Sequence, residues 1–285
     1  MIGRLMATAS PSLPAAPAAA PPFERLLLTG AAGCLGRMLR PRLKRLCRVL
    51  RASDIAAMDT AGVGEEVVVA ALEDAAAVHA LVAGVQAIVH LGGVSVEGPF
   101  EPILQANIVG IHNLYEAARK HGVARIVFAS SNHVTGFYRQ DEVVCPSDPM
   151  RPDGHYGLSK AFGENLSRFY FDRYGIETVC LRIGSSYPEP KDRRMLATWL
   201  SYDDLERLVA ASLTAPVVGH SVIYGLSDNT TRWWDNTSAA HIGFRAEDSS
   251  EPFRAAAEAR QPQLDRNDPA TLLQGGGFVT KGPYG

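Results

Sequence analysis

Tyr156 and Lys160 stand in the run HYGLSK, four residues apart, a spacing that puts both side chains on one face of a helix. Together a phenol and an ammonium can make a base, because a nearby positive charge favours the phenolate. Tyrosine ionises near pH 10, so work near neutrality requires a drop of about two to three pH units, or ~3–4 kcal/mol of differential stabilisation. Pairs at this spacing also occur on solvated helices, so the pair alone does not define a site. One segment earlier, RIVFASSNHVTGFY (125–138) passes from buried-type residues straight into Ser131, Asn132 and His133. These side chains supply the donors and acceptors that a hydroxyl-rich ligand needs when it leaves water, although an internally satisfied polar cluster would have the same composition.

The elements around these residues alternate. Short apolar runs at 25–30, 49–54, 67–72, 87–93, 125–130 and 177–184 read as strands, and the stretches 33–46, 74–84, 101–121 and 154–174 read as helices. In 101–121 the residues Ile103, Leu104, Ile108, Ile111, Leu114, Tyr115 and Ala118 recur at helical spacing. Near-continuous Val/Ile/Leu strands separated by helices predict an α/β fold, a Rossmann-type doubly wound parallel sheet covered on both faces. Such sheets bind ligands beyond the carboxyl ends of their strands, where 125–130 turns polar. Asn107 is a candidate for a helix kink and water that extend a proton path, or else a buried structural residue. Past Gly184 the pattern weakens: Ser201 and Asp204 suggest a capping-box-like helix start, 217–225 a strand, and the rest a small region. The expected organisation is a tail over 1–22, a dinucleotide-binding core over 23–184, and a small substrate-covering region over 185–285.

The first strand runs into TGAAGCLG, with Gly30, Gly33 and Gly36 opening a helix. Glycines there allow a tight turn and close approach of a pyrophosphate, whose charge the helix N-terminus favours. Asp54 ends the second strand, about 18 residues after Gly36. A carboxylate at that place accepts hydrogen bonds from both ribose hydroxyls and repels a 2′-phosphate, so NAD is expected rather than NADP. A residue that only caps its own loop would look the same.

Composition excludes several classes of function. The net charge is −2, with no basic stripe interleaved with aromatics, which argues against nucleic acid. No apolar run is long enough for a membrane span. MIGRLMATASPSLPAAPAAAPP is an Ala/Pro-rich tail, interrupted by Pro11, Pro14 and Pro17 and with Arg4 its one positive side chain, which argues against a signal peptide. Cys34, Cys47, Cys145 and Cys180 have no metal-ligand or Cys-x-x-Cys spacing, so free thiols in a reducing cytoplasm and no metal site are expected.

TGAAGCLG, Asp54, Ser131 and YGLSK together resemble the extended short-chain dehydrogenase/reductases. The longer segments HLGGVSVEGPFE, FASSNHVTGFY, RIGSSYPEP, RRMLATWLS and WWDN resemble the members that oxidise hexuronic acids, and the resemblance runs from about Arg25 to Phe278. It implies oxidation of the anomeric hydroxyl of galacturonate or glucuronate to an aldarolactone with NAD as acceptor. By position, Gly30, Gly33, Cys34, Leu35, Gly36, Asp54, Leu72, Leu91, Gly92 and Gly93 would hold the dinucleotide. Tyr156 would be the base and Ser131 a hydrogen-bond donor to the reacting oxygen. Lys160 would bind the nicotinamide ribose and lower the Tyr156 pKa. Ser95, Ser131, Asn132, His133, Tyr156 and Ser185 would surround the sugar, and Arg194 would pair with its carboxylate.

A guanidinium can grip a carboxylate through two parallel hydrogen bonds, which a hydroxymethyl group cannot return. Without the resemblance, Arg193 and Arg194 read as solvated loop charges. The chain departs from the wider family pattern at Thr135, where a tyrosine is usual and a structural or neutral role is expected, and at Ala71, where an aspartate often meets adenine. A homo-oligomer, paired through helices 101–121 and 154–174, is expected by analogy.

Two other functions compete. A nucleotide-sugar epimerase or dehydratase is one, but related dehydratases carry acidic residues where Asn132 and His133 stand. About 100 residues after Gly184 are also few for enclosing a nucleotide. A non-catalytic NAD-binding sensor is the other, yet it would have no need of Tyr156, Lys160 and Ser131 together.

Overall fold

The computed structural model describes residues 20–284; the tail expected over 1–22 lies outside them as far as residue 19. The chain opens with β1 (Phe23–Thr29), α1 (Cys34–Leu43), β2 (Cys47–Asp54), β3 (Glu65–Val69), α2 (Ala75–Val82) and β4 (Ala87–His90). It continues through α3 (Phe100–Ile103), α4 (Gly110–His121), β5 (Arg125–Ser131), α5 (His155–Tyr174) and β6 (Glu177–Ile183). After β7 (Ser185–Ser186), α6 (Met195–Thr198), β8 (Trp199–Leu200) and α7 (Tyr202–Thr214) comes β9 (His220–Gly225), followed by α8 (Arg254–Arg260) and α9 (Pro269–Leu272). Seven strands form one sheet in the order β3-β2-β1-β4-β5-β6-β9, every neighbouring pair parallel.

The continuous apolar runs follow from this layering. Successive strand side chains face opposite sides, and both sides are covered. Leu26 and Leu28 join Leu39, Leu50, Val89, Val127, Leu181 and Leu205 on one face. Leu27 joins Ile88, Val78, Leu114, Ile126, Phe128 and Tyr170 on the other. The order reverses between β1 and β4, so the chain leaves these two strands in opposite directions and opens a crevice at their carboxyl ends.

The sheet crosses position 184, because β9 pairs with β6 from Thr178↔His220 to Ile183↔Gly225. Ser201 starts α7 as expected, its hydroxyl accepting from the Asp204 N–H at 2.8 Å. The capping box is only half formed, since the Ser201 N–H goes to the Ser227 hydroxyl at 2.9 Å. The buried Asp204 carboxylate accepts from Ser227, Glu247 and Asp248. No helix among the described residues is long and apolar enough to cross a membrane, and the four cysteines are free.

Candidate active site

A cavity of about 1030 Å³ opens at the carboxyl ends of the strands, and all the residues named from the sequence for cofactor, substrate or chemistry, apart from Asn107, line it. At one end, Gly30 takes a left-handed φ of 71° and its missing Cβ would stand 2.6 Å from the Leu91 carbonyl carbon. At Gly36 a Cβ would fall 2.1 Å from the Gly30 carbonyl oxygen, so α1 can sit this close to the turn only with glycine. Gly33 precedes α1 and gives it no side-chain cap. The first amides of that helix, at Cys34, Leu35 and Gly36, lack intrahelical partners and border the cavity. Uncapped N–H groups on a close-approach turn fit a pyrophosphate.

Asp54 accepts from Ala32 N–H at 2.9 Å and Ala56 N–H at 3.0 Å, one bond to each oxygen. It therefore caps its loop and still has lone pairs for ribose hydroxyls. At the rim on this side, Leu72 sits against Gly92 and its carbonyl accepts from Asn113 at 3.0 Å. Glu73, two residues past Ala71, brings an exposed carboxylate to the same rim, which the sequence reading passed over.

At the other end α5 carries Tyr156 and Lys160, both buried. The helix starts at Gly154 without a side-chain cap. Glu97 replaces the cap from a distant loop, its two oxygens accepting the N–H groups of His155 at 3.0 Å and Tyr156 at 2.8 Å. A Cβ on Gly154 would stand 2.3 Å from that carboxylate. Asn107 holds the same loop in place. It lies in a π-helical turn, Leu104–Val109, and bonds the Val94 N–H at 2.7 Å, the Val94 carbonyl at 3.0 Å and the Ser159 hydroxyl at 2.9 Å. The expected helix irregularity is present, but the Asn107 side chain is committed to clamping the loop onto α5.

Electrostatics depart from the expectation that Lys160 lowers the Tyr156 pKa. Burial pushes the phenol up to about 12, with the Ser131 hydroxyl acting the other way and Asp153 adding to the rise. Burial also pulls the Lys160 ammonium down to about 8. The ammonium lies 5.6 Å from the Tyr156 ring centre and 5.1 Å from that of Phe128. In each case burial is the largest cause, and it disfavours the charged form of both groups.

The cavity wall continues from the end of β5. Ser131 accepts from the His133 N–H at 3.2 Å, and Asn132 donates to the Ile183 carbonyl at 3.1 Å while its oxygen accepts from Arg194 Nη2 at 3.0 Å. Arg194 also donates to the Gln274 carbonyl at 2.8 Å and to Ser185 Oγ at 3.5 Å. All three partners are neutral, and desolvation lowers the guanidinium pKa. Arg193 turns away to the Gln261 carbonyl, so the two arginines are not an equivalent solvated pair. Ser185 also shares a bond with Thr198 at 2.9 Å, and Ser95 is exposed at the rim.

Thr135 is fully buried, bonding the Asn132 carbonyl and the Tyr224 hydroxyl, which is the structural one of the two roles expected of it. Glu97, Asp153, Gln274 and Phe278 were not singled out from the sequence. Asp153 lies in RPDG, which reads as a turn, and the last two come from a distant, irregular segment.

The chain matches the model of the NAD dependent epimerase/dehydratase family over residues 26–205. A uronate dehydrogenase from Pseudomonas putida is 60% identical over 264 residues, which span 92% of this chain and 98% of that protein. A crystal structure of uronate dehydrogenase from Agrobacterium tumefaciens, a mutant complexed with NAD, superposes with a TM-score of 0.89 at 52% identity and covers 91% of this chain and 98% of that one. A glucuronic acid dehydrogenase structure from Chromohalobacter salexigens gives 0.89 at 51% identity, covering 91% and 97%.

Proposed function

Because the chain belongs to the uronate dehydrogenases of the NAD dependent epimerase/dehydratase family, we propose that it oxidises the anomeric hydroxyl of a hexuronic acid to the aldarolactone. The glycine turn, the open N-terminus of α1 and Asp54 would hold NAD, and the dinucleotide supplies the hydride acceptor and a fixed positive charge. Tyr156 takes the anomeric proton, with Ser131 donating to the same oxygen. Lys160 binds ribose and, once the positive ring is present, adds to the stabilisation of the phenolate. Ser95, Asn132, His133 and Ser185 bind the sugar hydroxyls. The free cysteines support a reducing, cytoplasmic setting.

The observation that carries this reading is Arg194. Its partly buried guanidinium lies on the cavity wall, bonded only to neutral oxygens, with Asp192 and Asp153 acting on it from a distance. A charge in that position favours a ligand carboxylate, and a neutral sugar would leave it uncompensated. The test is to mix purified protein and NAD with galacturonate, glucuronate and neutral aldoses and to follow the absorbance of reduced nicotinamide. Reduction with uronates and little with aldoses is expected, abolished by Tyr156→Phe with NAD binding retained. Equal rates on neutral sugars would overturn the assignment.

A further inference from the structure

Asp153 has no role in the reaction as described, yet its side chain is fully buried at the site. Oδ2 lies 2.6 Å from His133 Nδ1, while Oδ1 has no hydrogen-bond partner. Three glycines make room for it: a Cβ would fall 1.9 Å from Oδ2 at Gly136, 2.0 Å from it at Gly275, and 3.0 Å from Oδ1 at Gly157. A buried carboxylate with one unsatisfied oxygen is costly, so its retention calls for a reason in what it touches.

Among the described residues its one side-chain hydrogen bond is to His133. The imidazole is fixed on its faces as well, stacked on Phe278 with ring centres 3.9 Å apart and set edge-on to Tyr156 at 5.8 Å. With the carboxylate as acceptor, Nδ1 carries the shared proton and Nε2 has a free lone pair. The neighbouring wall is rich in donors, among them the ammonium of Lys160 and the guanidinium of Arg194. Each sugar hydroxyl also has a proton to give away.

From this geometry we propose that Asp153 is a positioning residue that fixes the His133 proton on Nδ1, making Nε2 the acceptor for a hydroxyl of the bound sugar. This deepens the reading given above and rests on it for the identity of the ligand. Burial keeps the imidazole neutral in spite of the carboxylate, which agrees with an acceptor role.

The experiment has two parts. Nitrogen-15 NMR of histidine-labelled protein, with His133 assigned through His133→Gln, reads the tautomer without any turnover; protonated Nδ1 and bare Nε2 are expected. Protonated Nε2 in the wild type would overturn the proposal even if uronates are oxidised. Asp153→Leu should mix the two tautomers and raise KM for the uronate about 10-fold or more, equivalent to about 1.4 kcal/mol, with NAD affinity unchanged. Adding Asp153→Leu to His133→Phe should cost nothing further. Fully additive penalties would show that Asp153 acts other than through His133. Should Asp153→Leu fail to fold, the wild-type tautomer decides. Failure of the wild type to reduce NAD with any uronate would overturn the proposed function and leave the tautomer result standing.

Discussion

Glu97 Oε2 accepts the backbone N–H of Tyr156 at 2.8 Å across 59 residues of sequence. One carboxylate thereby caps α5 and belongs to the loop that also carries Ser95. Asn107 ties the other end of this loop to Ser159 on the same helix. The phenol is therefore positioned from both flanks of the loop. Glu97→Ala should expose two N–H groups and lower stability by about 1–2 kcal/mol, as loss of a cap does. Turnover should fall further, by about 10-fold or more, because small displacements of a reacting group are costly. Thermal unfolding and kcat, measured with NAD affinity as a control, separate the two effects. A full wild-type kcat with a lowered Tm would confine Glu97 to folding.

Arg194→Met should lower kcat/KM for a uronate by ~100-fold, the order expected for loss of a charged, two-pronged hydrogen bond. Neutral aldoses should change little, so the ratio of the two substrates reports the clamp even if the loss of the Gln274 and Asn132 contacts lowers overall stability. Arg194→Lys should recover only part of the preference, because an ammonium lacks the planar fork. An unchanged substrate ratio in Arg194→Met would rule the clamp out.

The residues that were legible in the sequence share one property: their signal is local. Strands such as Arg125–Ser131 and helices such as His155–Tyr174 stand where their apolar patterns put them, and TGAAGCLG opens α1. Glu97 and Asp153 carried no such signal, since each acts on a partner brought near only by the folded sheet. The dryness around Tyr156 was hidden for a related reason. A spacing of four residues reports which face two groups share, but it does not report how dry that face is. Burial then moved both groups away from their charged forms. Past Gly184, apart from α7 and β9, several elements are short, as with β7 and β8 at two residues each, too brief to establish a periodicity.

Lys160→Met should stabilise the fold while removing activity. Burial lowers the lysine from 10.5 to about 8. Below pH 8 it is charged in both states, and the native protein bears the desolvation, about 3 kcal/mol at ~1.4 kcal/mol per pH unit. Between about 8 and 10.5 the unfolded chain holds the extra proton, so wild-type stability rises with pH. The advantage of the methionine variant is thus greatest at and below neutrality and disappears above about pH 10.5. Denaturant unfolding of both proteins across this range is the check. A methionine variant less stable than wild type at pH 7 would mean that packing or cation–π contact with Phe128 outweighs the desolvation.

Beneath the polar end of β5 lies a fully buried ion pair. Arg182 donates to Glu164 at 3.0 and 2.9 Å, and Glu164 also accepts from the Ser130 hydroxyl at 2.5 Å. Arg182 reaches the Tyr224 hydroxyl at 3.1 Å, Tyr224 bonds Thr135, and Thr135 bonds the Asn132 carbonyl. The network thus links the sheet interior to Asn132 on the cavity wall. Glu164→Met or Arg182→Met alone would leave the remaining partner as a lone buried charge, and each should cost about 3–5 kcal/mol. Replacing both partners by methionine should cost clearly less than the two single losses added together, because no lone charge is then buried. If the network also orders Asn132, the double variant should bind uronate more weakly while NAD affinity stays the same. Calorimetric unfolding of the four proteins in the cycle gives the first answer, and KM for the uronate gives the second. Additive stability losses would show that the pair is not coupled as its geometry requires.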